Sequence, residues 1–130
     1  SPHRAQGKYD EAKPLCERAI AIGEKALGPE HPDVAKWLNN LAEVLNAEGF
    51  FEKAERLALR GLNIRQKALG ETHEVTAGSH STLGWISSDR GDLATASKLH
   101  EAAVKICEPL EDFNPTKQGV RVGFLVNEAR

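Results

Sequence analysis

His31 and His73 stand 42 residues apart, and a recurring imidazole first suggests a metal ligand. A zinc site needs three or four convergent ligands. These two fall on separate loops with no carboxylate or thiol cluster beside them. Capping of a helix by the loop before it accounts for the recurrence better. His73 and His80 could share a helix face, and the same shortage of ligands applies there. Cys16 and Cys107 occupy non-equivalent positions in the chain, which favours two separate apolar thiols over a disulfide and fits a reducing, cytoplasmic setting. The carboxylates fall on helix surfaces beside bases, as in Glu52 with Arg56 and Glu55 with Arg60. There is no glycine-rich phosphate loop, nucleophile elbow or zinc-helix motif. No catalytic residue, metal or cofactor is therefore expected.

Residues suited to binding are easier to find. The amides of Asn39 and Asn40 each offer a donor and an acceptor, as an extended peptide backbone requires. Asn40 has a second reading, in which it braces the neighbouring helix. Trp85 either supplies contact area to a ligand or packs against its neighbouring unit, and Trp37 reads as packing between units. Arg56, Arg60, Arg65 and Lys67 make one segment locally basic, read as a solvated outer face. Phe50 takes the place held by Lys8 and Asp92 in the other units and is expected to be exposed.

What must position these groups is a repeat. Gly7, Gly49 and Gly91 are 42 residues apart, as are Ala12, Ala54 and Ala96, Leu15, Leu57 and Leu99, and Ile22, Ile64 and Ile106. Lys25-Ala26-Leu27-Gly28 returns as Lys67-Ala68-Leu69-Gly70. A period of this length indicates an all-α solenoid of antiparallel helix pairs, in which each unit buries its apolar stripe against its neighbours. In the second unit Val34, Leu38, Leu41, Ala42 and Leu45 follow helical spacing, with Pro32 and Asp33 at the start and Gly49 as the stop. Phe51, Ala54, Leu57, Ala58, Gly61, Leu62 and Ile64 form the stripe of the next helix. The whole chain reads as one array: 7–27 the second helix of a truncated repeat, 32–70 and 74–110 full repeats, and 113–130 a degenerate or terminal helix. Ala5-Gln6-Gly7 matches Ala47-Glu48-Gly49, so a helix end is expected at Gly7. The segment 74–90 holds Gly78, Gly84 and four serines around a thin stripe of Val75, Leu83 and Ile86, and should depend on its neighbours for order.

Gly7-Lys8-Tyr9-Asp10-Glu11-Ala12, Ala26-Leu27-Gly28-Pro29-Glu30-His31-Pro32-Asp33-Val34-Ala35 and Leu38-Asn39-Asn40-Leu41-Ala42 together resemble the tetratricopeptide repeat family in its kinesin-light-chain-like form. The resemblance implies a right-handed superhelix whose first helices line a concave groove for peptides or partner segments. By position, the groove would show Lys36, Asn39, Asn40, Glu43 and Asn46 from one helix and Ser81, Trp85, Ser88 and Asp89 from the next. Ser81 and Thr82 replace the paired asparagines in the third unit, a departure from the family pattern.

The expected function is a non-catalytic module binding a protein or peptide partner. The alternatives are self-association, end to end or by helix exchange, and an internal scaffold of a larger transport or signalling protein. A net charge of −2 with interspersed signs argues against nucleic acid, and no apolar run is long enough to cross a membrane.

Overall fold

The computed structural model describes the backbone of residues 2–112 and the side chains of 7–108. Five helices follow one another: α1 (Pro2–Leu27), α2 (Pro32–Ala47), α3 (Phe51–Leu69), α4 (Glu74–Arg90) and α5 (Leu93–Asp112). The helix expected over 113–130 lies outside the described residues.

Two kinds of turn alternate, and each is built twice in the same way. After α2, the Gly49 N–H donates to Asn46 O and the Phe50 N–H to Leu45 O, while Gly49 sits at φ +90°. After α4, Gly91 donates to Ser88 O and Asp92 to Ser87 O, with Gly91 at φ +97°. These left-handed glycines satisfy the last carbonyls of each helix. The other turn follows α1 and α3. Gly28 donates to Glu24 O and Gly70 to Gln66 O, and the next helix opens on a histidine cap. His31 Nδ1 accepts from the Asp33 N–H, and His73 Nδ1 from the Val75 N–H, both at 3.0 Å. The recurring histidines thus satisfy helix N-termini, as their place in the repeat suggested.

Burial spreads along the array, without a single centre. Val34, Ala35, Leu38 and Ile64 form one apolar cluster, joined by Ile20 of α1. Ala42, Ala54, Ala58, Leu62, Leu83 and Ile86 form the next, and Leu57 touches both. Ala54 and Ala96 are buried and Ala12 is half-buried in the equivalent position. Small residues set the helix spacing: a Cβ on Gly61 would meet Ala35 O at 3.4 Å.

Two expectations change. The helix end at Gly7 does not form, and α1 runs unbroken through it with no positive φ there. Gly49 turns because the helices on both sides of it pack on each other. At Gly7 the local hydrogen-bond ladder simply continues. In α4, Leu83 and Ile86 are buried as expected but Val75 is exposed, and Thr76, Ala77, Ser79, Thr82, Gly84 and Ser87 join the buried set. This helix is held by α2, α3 and α5 together, which is why weak intrinsic propensity suffices.

Candidate functional site: the face of the first helices

The backbones of α2 and α4 come close to each other, whereas those of α1 and α3, and of α3 and α5, do not, and α1 and α3 meet through side chains such as Glu24 and Arg60. The layer of first helices is therefore the tighter one, and the array curves around it. The α2–α4 face is the inner, concave side.

Side chains stitch this face together by one rule. Asn39 Nδ2 donates to Thr82 Oγ1 at 3.0 Å and Asn46 Nδ2 to Asp89 Oδ2 at 2.7 Å, and in each case the partner lies 43 residues ahead. Each contact thus joins one repeat position to the next position of the following repeat. The Thr82 hydroxyl turns back to Gly78 O, leaving its oxygen to accept from Asn39, and Glu43 Oε2 lies 3.4 Å from the same Asn39 amide. The Oδ1 atoms of Asn39 and Asn46 are buried within the ladder, so neither amide is displayed whole. Asn39, and not Asn40, braces the neighbouring helix. Asn40 is half-buried and has no hydrogen-bonding partner among the described residues.

The remaining residues fall into two groups. Lys36, Glu43, Trp85 and Asp89 are exposed, and Ser81 and Ser88 are half-buried. Lys36 Nζ stands over the Trp37 ring, 5.3 Å from its centroid. Trp85 is 61% exposed and meets His100 of α5 edge-on, with ring centroids 4.8 Å apart. His100 lies directly beneath Gly84, whose missing side chain makes room for the imidazole. Trp85 therefore rests on its own helix pair and keeps most of its surface for a further contact.

Behind the face, Arg65 of α3 is buried and donates from Nη1 to Ser79 Oγ at 2.9 Å. Burial lowers its pKa, with Glu43 acting in the opposite sense. The expectation of a solvated basic face for Arg65 is corrected. So is the pairing of charges along one helix. Arg60 binds Glu24 of α1, and Glu55 binds Arg90 of α4 at 3.1 Å. Side chains pointing between stacked units meet the neighbouring unit before they meet their own helix. A sequence signal for Arg65 exists: Gly23 and Cys107 hold its position in the other repeats, and an arginine among small residues is out of pattern. Thr82 had the same kind of signal, as the residue replacing Asn40.

His31 and His73 spend Nδ1 on caps, and no cluster of three potential metal ligands occurs among the described residues. No helix among them is long and apolar enough to cross a membrane.

A tetratricopeptide repeat profile matches residues 3–46 and 33–108. Among solved structures, BtubC (BKLC) from P. vanneervenii is similar at 29% identity and a TM-score of 0.74, over 79% of this chain and 41% of that one. A Podosopora anserina putative kinesin light chain with nearly identical TPR-like repeats is similar at 28% identity and a TM-score of 0.72, over 88% of this chain and 55% of that one. A variant of the latter gives 28% and 0.71. The chain spans about half the length of these relatives or less. Tetratricopeptide repeats generally mediate protein–protein interaction and are typically non-catalytic scaffolds. With its 42-residue period, paired turns and stacked helices, this chain belongs to the tetratricopeptide repeat family and is built like the kinesin light chain repeats.

Proposed function

We propose that the chain is a non-catalytic interaction module that takes a peptide or partner segment along the concave face of α2 and α4. The observation carrying this reading is the ladder itself. Asn39–Thr82 and Asn46–Asp89 lock two first helices side by side, and Lys36, Glu43, Asp89 and the exposed Trp85 ring stand around that rigid strip. Rigid presentation of an aromatic beside charges of both signs favours binding, because little side-chain order has to be gained on contact. In this reading Asn39 and Asn46 position the helices. Lys36, Asn40, Glu43, Ser81, Trp85, Ser88 and Asp89 meet the ligand.

The test is a peptide-library capture with the whole chain, repeated with Trp85→Ala and Lys36→Ala. Loss of one shared set of binders in both variants supports the concave site. An unchanged set in both moves the site off this face.

Self-association has an observation of its own. Leu15 and Ile22 of α1, one helical stripe seven residues apart, are each 60% exposed. Sedimentation over a concentration series decides it, and a monomer throughout removes it.

A further inference from the structure

The outer face carries a second recess. The backbones of α1 and α3 stand apart, bridged at Glu24–Arg60, and between them Leu41 and Leu45 of α2 form a floor, with Leu57 of α3 at the side. Lys13 and Glu17 of α1 and Phe50, Lys53 and Arg56 on the other side complete a cleft of about 450 Å³. Phe50 is 49% exposed at its edge, with Lys13 Nζ and Lys53 Nζ 5.9 and 5.7 Å from the ring centroid.

Two features separate this cleft from a chance gap between helices. The first is Phe50 itself. It is the N-cap residue of α3 and makes no side-chain cap. Its counterpart Asp92 accepts from the Thr95 N–H at 3.2 Å and caps α5. A phenyl ring in water at a position suited to a capping carboxylate departs from what stability favours, and such departures concentrate at functional sites. The second is charge. Lys13 is taken by Glu48 at 2.9 Å, but Lys53 and Arg56 have no ion-pair partner among the described residues, and only Glu17 opposes them within the lining. The register-equivalent positions one repeat later are Glu55, Leu59, Leu83, Ser87, Asp92, Thr95, Lys98 and Leu99, so the basic, aromatic-edged version is not repeated there.

We infer that this convex cleft between α1 and α3 docks an acidic peptide segment bearing an apolar side chain. The apolar group would enter over Leu41, Leu45 and Leu57 and lie against Phe50, while flanking carboxylates meet Lys53 and Arg56. Complementary charge at an exposed rim gives orientation and salt dependence, and the buried apolar anchor supplies the affinity.

The probe is a short fluorescein-labelled peptide with one leucine and one phenylalanine among aspartates, read by anisotropy against the whole chain at low salt. A counterpart with lysine for aspartate serves as control. Phe50→Asp is the informative variant. It removes the ring, adds a negative charge and places at this position the carboxylate that caps α5 at Asp92, and an unchanged circular dichroism spectrum and unfolding midpoint separate a loss of binding from a loss of fold. Binding of the acidic probe is expected to weaken roughly tenfold or more in Phe50→Asp and in the double variant Lys53→Glu/Arg56→Glu. It should weaken with added salt and be unaffected by Trp85→Ala. Three results overturn the inference: no binding of the acidic probe, equal binding of the lysine counterpart, or loss on Trp85→Ala with Phe50→Asp unchanged. The last would assign the probe to the concave face, and loss of the concave site alone would leave this cleft standing.

Discussion

Gly84 and His100 make the sharpest test of the stacking geometry. A Cβ placed on Gly84 would lie 2.8 Å from Cε1 and Nε2 of His100 and 3.1 Å from Cδ2. One repeat earlier the same two positions are Ala42 and Ala58, both fully buried. The array therefore fills one slot in two ways, small against large or medium against medium. Gly84→Ala alone should suffer the overpacking cost of roughly 1–3 kcal/mol. Better helix propensity offsets it by about 1 kcal/mol. A net loss of about 1 kcal/mol follows, with the imidazole and the Trp85 edge contact displaced. In a His100→Ala background the same substitution meets no ring and recreates the Ala42–Ala58 pairing, so it should stabilise by about 0.5–1 kcal/mol. The assay is urea unfolding of the four proteins by circular dichroism, with Trp85 fluorescence as a second probe. The predicted signature is a change of sign between backgrounds. Gly84→Ala having the same sign and size in both would refute the reasoning, because it would mean that His100 does not occupy the space over Gly84.

Other outcomes follow from single contacts. Phe50→Asp should stabilise the chain by about 1 kcal/mol through the cap that Asp92 gives α5, checked by thermal denaturation; a lower midpoint would count against it. Asn39→Ala should cost about 1 kcal/mol by taking the donor from Thr82, whereas Asn40→Ala, without a partner, should stay within about 0.5 kcal/mol in the same denaturant series. Ser79→Ala takes the 2.9 Å acceptor from the buried Arg65 guanidinium, leaving Nη1 the longer 3.4 Å bond to Val75 O, and should cost about 1–3 kcal/mol, whereas a surface-like effect would mean that Val75 O suffices. Burial lowers the pKa of His80 below its ordinary 6.5, with Glu71 acting against it. The unfolded chain then binds the proton more readily, so this group's contribution is full above about pH 6.5 and is lost as pH falls through the depressed folded value. His80→Gln should flatten the stability–pH curve in that window relative to the parent.

The sequence was most legible where a single residue determines a local conformation. Glycine at the positive-φ positions after α1, α2, α3 and α4, histidine before α2 and α4, and apolar spacing within α2 and α3 are short-range signals, and the observed turns and caps follow them. The exposure of Lys36, Glu43, Trp85 and Asp89 on the first helices was legible from the repeat register. Their partners were not. Helical spacing looks for partners within the same helix, and it predicted charges paired along α3. The structure joins Glu55 to Arg90, Glu24 to Arg60 and Asn46 to Asp89 instead.

What the amino-acid order determined by itself is the period, the helices and their punctuation, because these depend on backbone preferences and on one apolar stripe per helix. What only the tertiary structure decided is which side chains meet across the stack. That depends on how far each helix is rotated and shifted against the next, here the 43-residue offset of the ladder. The same offsets bury Arg65 against Ser79 and leave the backbones of α1 and α3 apart with Leu41 and Leu45 showing between them. Rotation and shift are set by the summed packing of small residues such as Ala42, Ala58, Gly61 and Gly84, a property of the assembled helices that no single segment contains.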